Sequence, residues 1–165
     1  MTMSAQPDQL WKFSLQCYRQ PGVEALCLTL QEQWQADINL LLWLRWLETQ
    51  FIAVDNTHIQ MAEAHIAHWN REAVWPLRAL RTKMKQRYGV EDAAIEATRS
   101  AIKKAELQAE RVVQIRLEQL AHHWPARAQS QPVAAGHNLA VYANYLKLPE
   151  PVKQKMRILY APNHS

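Results

Sequence analysis

Two glutamates stand four residues apart in Glu106-Leu107-Gln108-Ala109-Glu110, the spacing that sets two carboxylates on one face of a helix as raw material for general acid and base work. Such a pair serves catalysis only where burial drives the two proton affinities apart. Its neighbours Glu96, Arg99 and Lys103 predict instead a solvated ladder of charges at i,i+3 and i,i+4, so no catalytic residue is assigned. A second set lies in HIQMAEAHIAHW, where His65 and His68 share a helix face as metal ligands must. Glu63 precedes His65 by two residues, which misses the Glu-x-x-His spacing of di-iron bundles, and Glu118 and His122 are four apart, not three. Cys17 and Cys27 form no CxxC. The reading is surface histidines, two reduced thiols, no metal and no cofactor.

Two further groups of charges are candidates for binding. The stretch DINLLLWLRWLE carries Asp37, Asn39, Arg45 and Glu48 among leucines and tryptophans, and Arg116 falls at the centre of the apolar face of a later helix. Buried ions must be partnered, so these residues make either a core network that fixes helix register or a polar pocket. In the pocket reading Asp37, Asn39, Arg45 and Arg116 converge on a small anionic or amphipathic ligand. The other group is Arg71, Arg78, Arg81 and Lys85, which fall within about 80° of one another on a helix, beside the apolar line Val74, Leu77, Leu80, Met84 and Tyr88. Four cations on a stripe suit phosphates or another protein. They also suit Glu106 and Glu110 on the adjoining helix, and salt bridges across the hairpin are the expected use.

The elements that position these groups are helices. With 165 residues the chain is about one domain, and 48% hydrophobic residues, 21% charged residues and only three glycines describe a globular chain poor in hairpin turns. Net charge is +4, too mild for a dedicated nucleic-acid arm. The stretch from Asp37 is interrupted by Asn39, Arg45 and Glu48 and so does not read as a membrane span, while the first residues lack an export-type basic and apolar leader. The expected compartment is the cytoplasm.

Residues 8–54 read as compact N-terminal helices: one from Asp8, a second restarted by Pro21, and a third capped by Asp37 and running through Phe51, Ile52 and Val54. The third is apolar nearly all round and is placed at the centre of the fold. Residues 57–123 read as a long antiparallel hairpin. Its first arm opens with a capping box at Thr57 and Gln60, bends or breaks near Ala73 to Trp75 because of Pro76, and ends at Gly89. Its second arm is capped by Asp92. A linker at 124–135 leads to two short helices over 136–160. The class is all-α, a single-domain bundle of six to seven helices.

The motifs LWxF at Leu10 to Phe13, YxxPGV at Tyr18 with Pro21-Gly22-Val23, CLxLQ at Cys27 to Gln31 and DxNLLL at Asp37 with Asn39 to Leu42 resemble the N-terminal signature of an uncharacterised family of bacterial, mainly proteobacterial, proteins. WPLRALRTKMK and AELQAER are similar to later segments of that family, so the resemblance covers most of the chain and thins after about residue 124. It implies a small helical cytoplasmic protein and carries no activity, cofactor or site residue.

The preferred functional reading is a non-enzymatic interaction or regulatory protein that presents the hairpin to another protein, with self-association as a corollary. The alternative is a small-molecule binder or enzyme using the polar groups of the third helix. Nucleic-acid binding through the basic stripe is a third, less favoured option, and no membrane partner is expected.

Overall fold

The computed structural model of the chain describes residues 8–124 and 131–160. These form α1 (Gln9–Tyr18), α2 (Val23–Trp34), α3 (Ile38–Thr49), α4 (Asn56–Trp69), α5 (Trp75–Tyr88), α6 (Ala93–His122), α7 (His137–Tyr145) and α8 (Glu150–Lys155), the last followed by a 3-10 turn at Met156–Leu159. Among the described residues there is no strand, and no helix is long and apolar enough to cross a membrane. The class is all-α. The linker expected at 124–135 lies in part outside the described residues.

The centre of the bundle is α3. Ten of its twelve residues are buried, among them Trp43 and the run Leu40, Leu41, Leu42 and Leu44, because α1, α2, α6 and α7 all pack on it. Each leucine so enclosed contributes about 1.5–3 kcal/mol relative to exposure. Asp37 caps the helix by accepting from the Leu40 N–H at 3.1 Å.

The helix stops at Thr49, not at Val54 as the continuing apolar run predicted. Phe51 takes a left-handed conformation (φ 60°), its N–H returns to the Glu48 carbonyl, and the Ile52 N–H returns to the Leu47 carbonyl at 3.0 Å. This is a Schellman stop made without the glycine that normally announces one, which is why the sequence pattern runs past it.

The next helix starts on Asp55, which accepts from the His58 N–H while the His58 ring accepts from the Asp55 N–H. This capping box replaces the one expected at Thr57 and Gln60; aspartate is the stronger cap and lies two residues earlier. At Pro76 the rod neither breaks nor ends. Residues Asn70–Val74 form a π-helical turn, with the Trp75 N–H bonding to the Asn70 carbonyl five residues back. The wider turn gives the proline ring room against the Glu72 carbonyl that an α-turn would press on it. Joined in this way, α4 and α5 make one arm of the hairpin, so the described segments count as seven rods.

Gly89 (φ 68°) ends that arm, and Asp92 caps α6 by accepting from the Ala94 and Ile95 N–H groups. Both α4 and α5 lie against α6, and α7 closes the bundle over α3 and α4.

Candidate functional site

The polar groups of α3 divide between its two ends. At the C-terminal end, buried Glu48 accepts from the Gly136 N–H at 3.0 Å, the Asn138 N–H at 2.8 Å and the Arg45 Nη1 at 2.8 Å, so one carboxylate caps α7 and pairs a cation. The Asn138 side chain, fully enclosed, donates to the carbonyls of Leu44 and Ile52 and accepts from the Val54 N–H. Arg45 also donates to the Leu159 carbonyl. Glu118 of α6 acts in the same manner on α1: its two oxygens accept from the Gln9 and Leu10 N–H groups, because Asp8 is left-handed and supplies no cap. These networks are closed.

The N-terminal end of α3 opens on a cleft of about 510 Å³ lined by residues of α2, α3, α4, the π-helical turn and α5. Asp37 sits in its wall with one oxygen on the Leu40 N–H and the other on the Asn70 side-chain amide at 2.9 Å, and its own N–H donates to the Tyr142 hydroxyl. Burial pushes the Asp37 carboxyl above the usual carboxylate range, against the pull of those bonds. Asn39 is next, its carbonyl oxygen accepting from Gln114, whose own oxygen accepts from Ser14. Glu63 accepts from the Tyr145 hydroxyl, and half-exposed Trp75 stands on the rim. The π-helical turn places Asn70 and Val74 in the floor.

Arg78 joins this cleft to the hairpin. Its Nε donates to Glu106 at 3.1 Å and its Nη2 to Glu110 at 2.6 Å, while Arg81 makes two bonds to Glu106. The two glutamates therefore do not belong to the solvated ladder expected for them: Glu106 is buried and Glu110 half-buried. The ladder itself exists one turn and more away, as the Arg99–Glu96 pair. Burial alone would push the Glu106 carboxyl up, but the bonds and charges of Arg81 and Arg78 hold it below the usual range. At Glu110 burial prevails over Arg78 and the shift is upward.

Of the four residues proposed to converge, Asp37 and Asn39 line the cleft and Arg45 and Arg116 do not. Arg45 is held in the closed network at the far end of α3, and Arg116 lies half-buried with its guanidinium 5.3 Å from the Trp69 ring centre. Periodicity had placed Arg116 in the core; the indole face takes it at the core's edge. Of the basic stripe, Arg78 and Arg81 are tied to Glu106 and Glu110, and Arg71 and Lys85 are exposed with no ion pair among the described residues. His65 and His68 are exposed, His68 beside Glu72.

Sequence reasoning missed Asn70 and Glu63 in the cleft, and Asn138 and Glu118 in the closed networks. Asn70 had a readable signal: it continues the inner-face line Ile59, Ala62, Ile66 and Val74, all buried.

No curated protein and no solved structure matches the chain. A family model described as "Protein of unknown function (DUF2390)" matches residues 9–117, from α1 through most of α6. With well over half of its length matched, the chain carrying this cleft and hairpin belongs to the DUF2390 family.

Proposed function

We propose that the protein is a cytoplasmic, non-enzymatic interaction factor that offers the far end of its hairpin to an acidic protein with an apolar groove. One observation carries the reading: from Trp75 to Ala105 no residue is buried. Two helices lying side by side cannot enclose a core, so this arm leaves apolar side chains in water. Leu80 is nearly half exposed, and Tyr88 (52%) and Val90 (54%) more than half. Large apolar side chains exposed together on one short arm favour an interaction face.

Charge selects the partner's chemistry. Beyond the Arg81 bridge, residues 82–104 hold the cations Lys83, Lys85, Arg87, Arg99, Lys103 and Lys104 against the anions Glu91, Asp92 and Glu96, a net +3 of the chain's +4. Two such arms repel, which disfavours arm-to-arm pairing of two copies and favours an acidic surface. A nucleic acid would meet the charge but leave the apolar stripe without a purpose.

The test is affinity capture with the full chain and with a variant in which Lys83, Lys85, Lys103 and Lys104 are changed to glutamate. An acidic protein retained by the first, released by raised salt and lost from the second supports the reading. Retention that nuclease abolishes, or a partner held equally by both chains, overturns it.

A further inference from the structure

The cleft at the N-terminal end of α3 is a separate feature from the arm, and its chemistry is more specific. Its volume, about 510 Å³, falls in the range of small-molecule sites. Two buried amides leave hydrogen-bonding capacity unused there. Asn70 is 3% exposed; its amide nitrogen is spent on Asp37, and its carbonyl oxygen has no partner among the described residues. Asn39 is 8% exposed; its oxygen takes the Gln114 bond, and its amide nitrogen has no partner among the described residues. Both line the cleft, and neither atom is sealed off, since the fully enclosed unpaired polar atoms are the indole nitrogens of Trp34, Trp43 and Trp124. An open acceptor on Asn70, and an open donor on Asn39 where it stands between this cleft and the hollow against α1, are therefore available to a ligand in place of solvent.

The sign of that occupant follows from the charges. Asp37 and Glu63 face the cleft, and the one cation in its lining, Arg78, is already shared by Glu106 and Glu110. The excess is negative. Asp37 itself makes no ion pair among the described residues, since the salt bridges of Arg78 go to Glu106 and Glu110. Trp75 offers an aromatic face at the rim, and Ile38, Ile66 and Val74 supply apolar wall.

We propose that this cleft binds a small amphipathic organic amine: the ammonium held by Asp37, Glu63 and the Asn70 carbonyl, the apolar body against Trp75, and a ligand oxygen on the Asn39 amide. The site thus takes a cation, where the sequence had suggested an anionic or amphipathic ligand.

Three probes of nearly equal size separate the contributions: tyramine, phenethylamine, which lacks the hydroxyl, and 4-ethylphenol, which lacks the amine. Titration of the full chain followed by amide chemical shifts is expected to give saturable tyramine binding, with each of the other two weaker by about tenfold, the value of one hydrogen bond or ion pair in such a site. Glu63→Gln and Trp75→Leu are each expected to weaken tyramine about five- to tenfold with the melting temperature unchanged. The chain with its arm lysines reversed is expected to bind tyramine as the natural chain does, so failure of the arm reading leaves this one standing. No saturation by either amine, 4-ethylphenol binding as well as tyramine, or tyramine binding unaltered by both substitutions overturns the proposal.

Discussion

The two ends of α3 carry similar residues and do different things with them. At the C-terminal end a glutamate pairs an arginine and caps α7, and the side chain of a buried asparagine from α7 spends its amide and its oxygen on backbone groups. At the N-terminal end an aspartate bonds one buried asparagine, a second is bonded by Gln114, and both asparagines keep a polar atom free beside open space. What separates structure from site in this molecule is therefore unused bonding capacity, not the presence of charge in an apolar helix.

Breaking the closed end is expected to have the largest effect. Glu48→Ala strands the Arg45 guanidinium and the N–H groups of Gly136 and Asn138, and is expected to cost about 3–5 kcal/mol in urea unfolding. A loss below about 1 kcal/mol would mean that water replaces the carboxylate and that this end is not closed. Next comes the bridge between cleft and hairpin. Arg78→Ala leaves half-buried Glu110 without its cation while Glu106 keeps Arg81, and about 1–3 kcal/mol is expected after allowance for partial exposure.

The open end is sharpened by pH. Asp37 is raised, so the folded chain binds its proton more tightly than the unfolded chain does. Its contribution to stability is then full in acid and is lost as pH rises out of the usual carboxylate range through the raised value. Glu110 has the same sign, and Glu106, held low, has the opposite one: its contribution is present above that range and lost as acid reaches its depressed value. Asp37→Asn is expected to flatten the decline in stability with rising pH. Melting curves for variant and natural chain that stay parallel from acid to neutral pH would contradict a desolvated Asp37. The smallest effect is expected on the arm, where changing Lys83, Lys85, Lys103 and Lys104 to glutamine should move stability by no more than about 0.5 kcal/mol, since none is buried.

The legible parts of the fold are those written in local spacing. The enclosure of α3, the caps at Asp37 and Asp92, the hairpin turn at Gly89 and a disturbance next to Pro76 all follow from residues within a few positions of one another. The form of that disturbance was not legible, because a proline fixes only where the α-helical bond is lost and tertiary packing chooses how the helix responds. The stop at Phe51 was hidden because a left-handed phenylalanine looks like any other apolar residue of the run. The bridges from Arg78 and Arg81 to Glu106 and Glu110 across the hairpin were legible from the matching stripes; the depth to which they bury Glu106 was not, because its neighbours along α6 include a true solvent ladder. Of the candidate cleft, Asp37 and Asn39 were visible as polar groups in an apolar helix. The Arg45–Glu48 pair was legible from its i,i+3 spacing, whereas the rest required knowing that the π-helical turn carries Asn70 against Asp37.

The five-residue turn at Asn70–Val74 also sets the rotational phase of everything after it. Winding the same five residues as ordinary α-helix would swing the whole of α5 by about 100° about its axis, the angle of one residue. Arg78 and Arg81 would leave the glutamates of α6, the row of lysines would turn to a new compass bearing, and Trp75 would no longer overlook the cleft. The winding of that one turn thus governs both how the arm is aimed and whether the cleft has a wall.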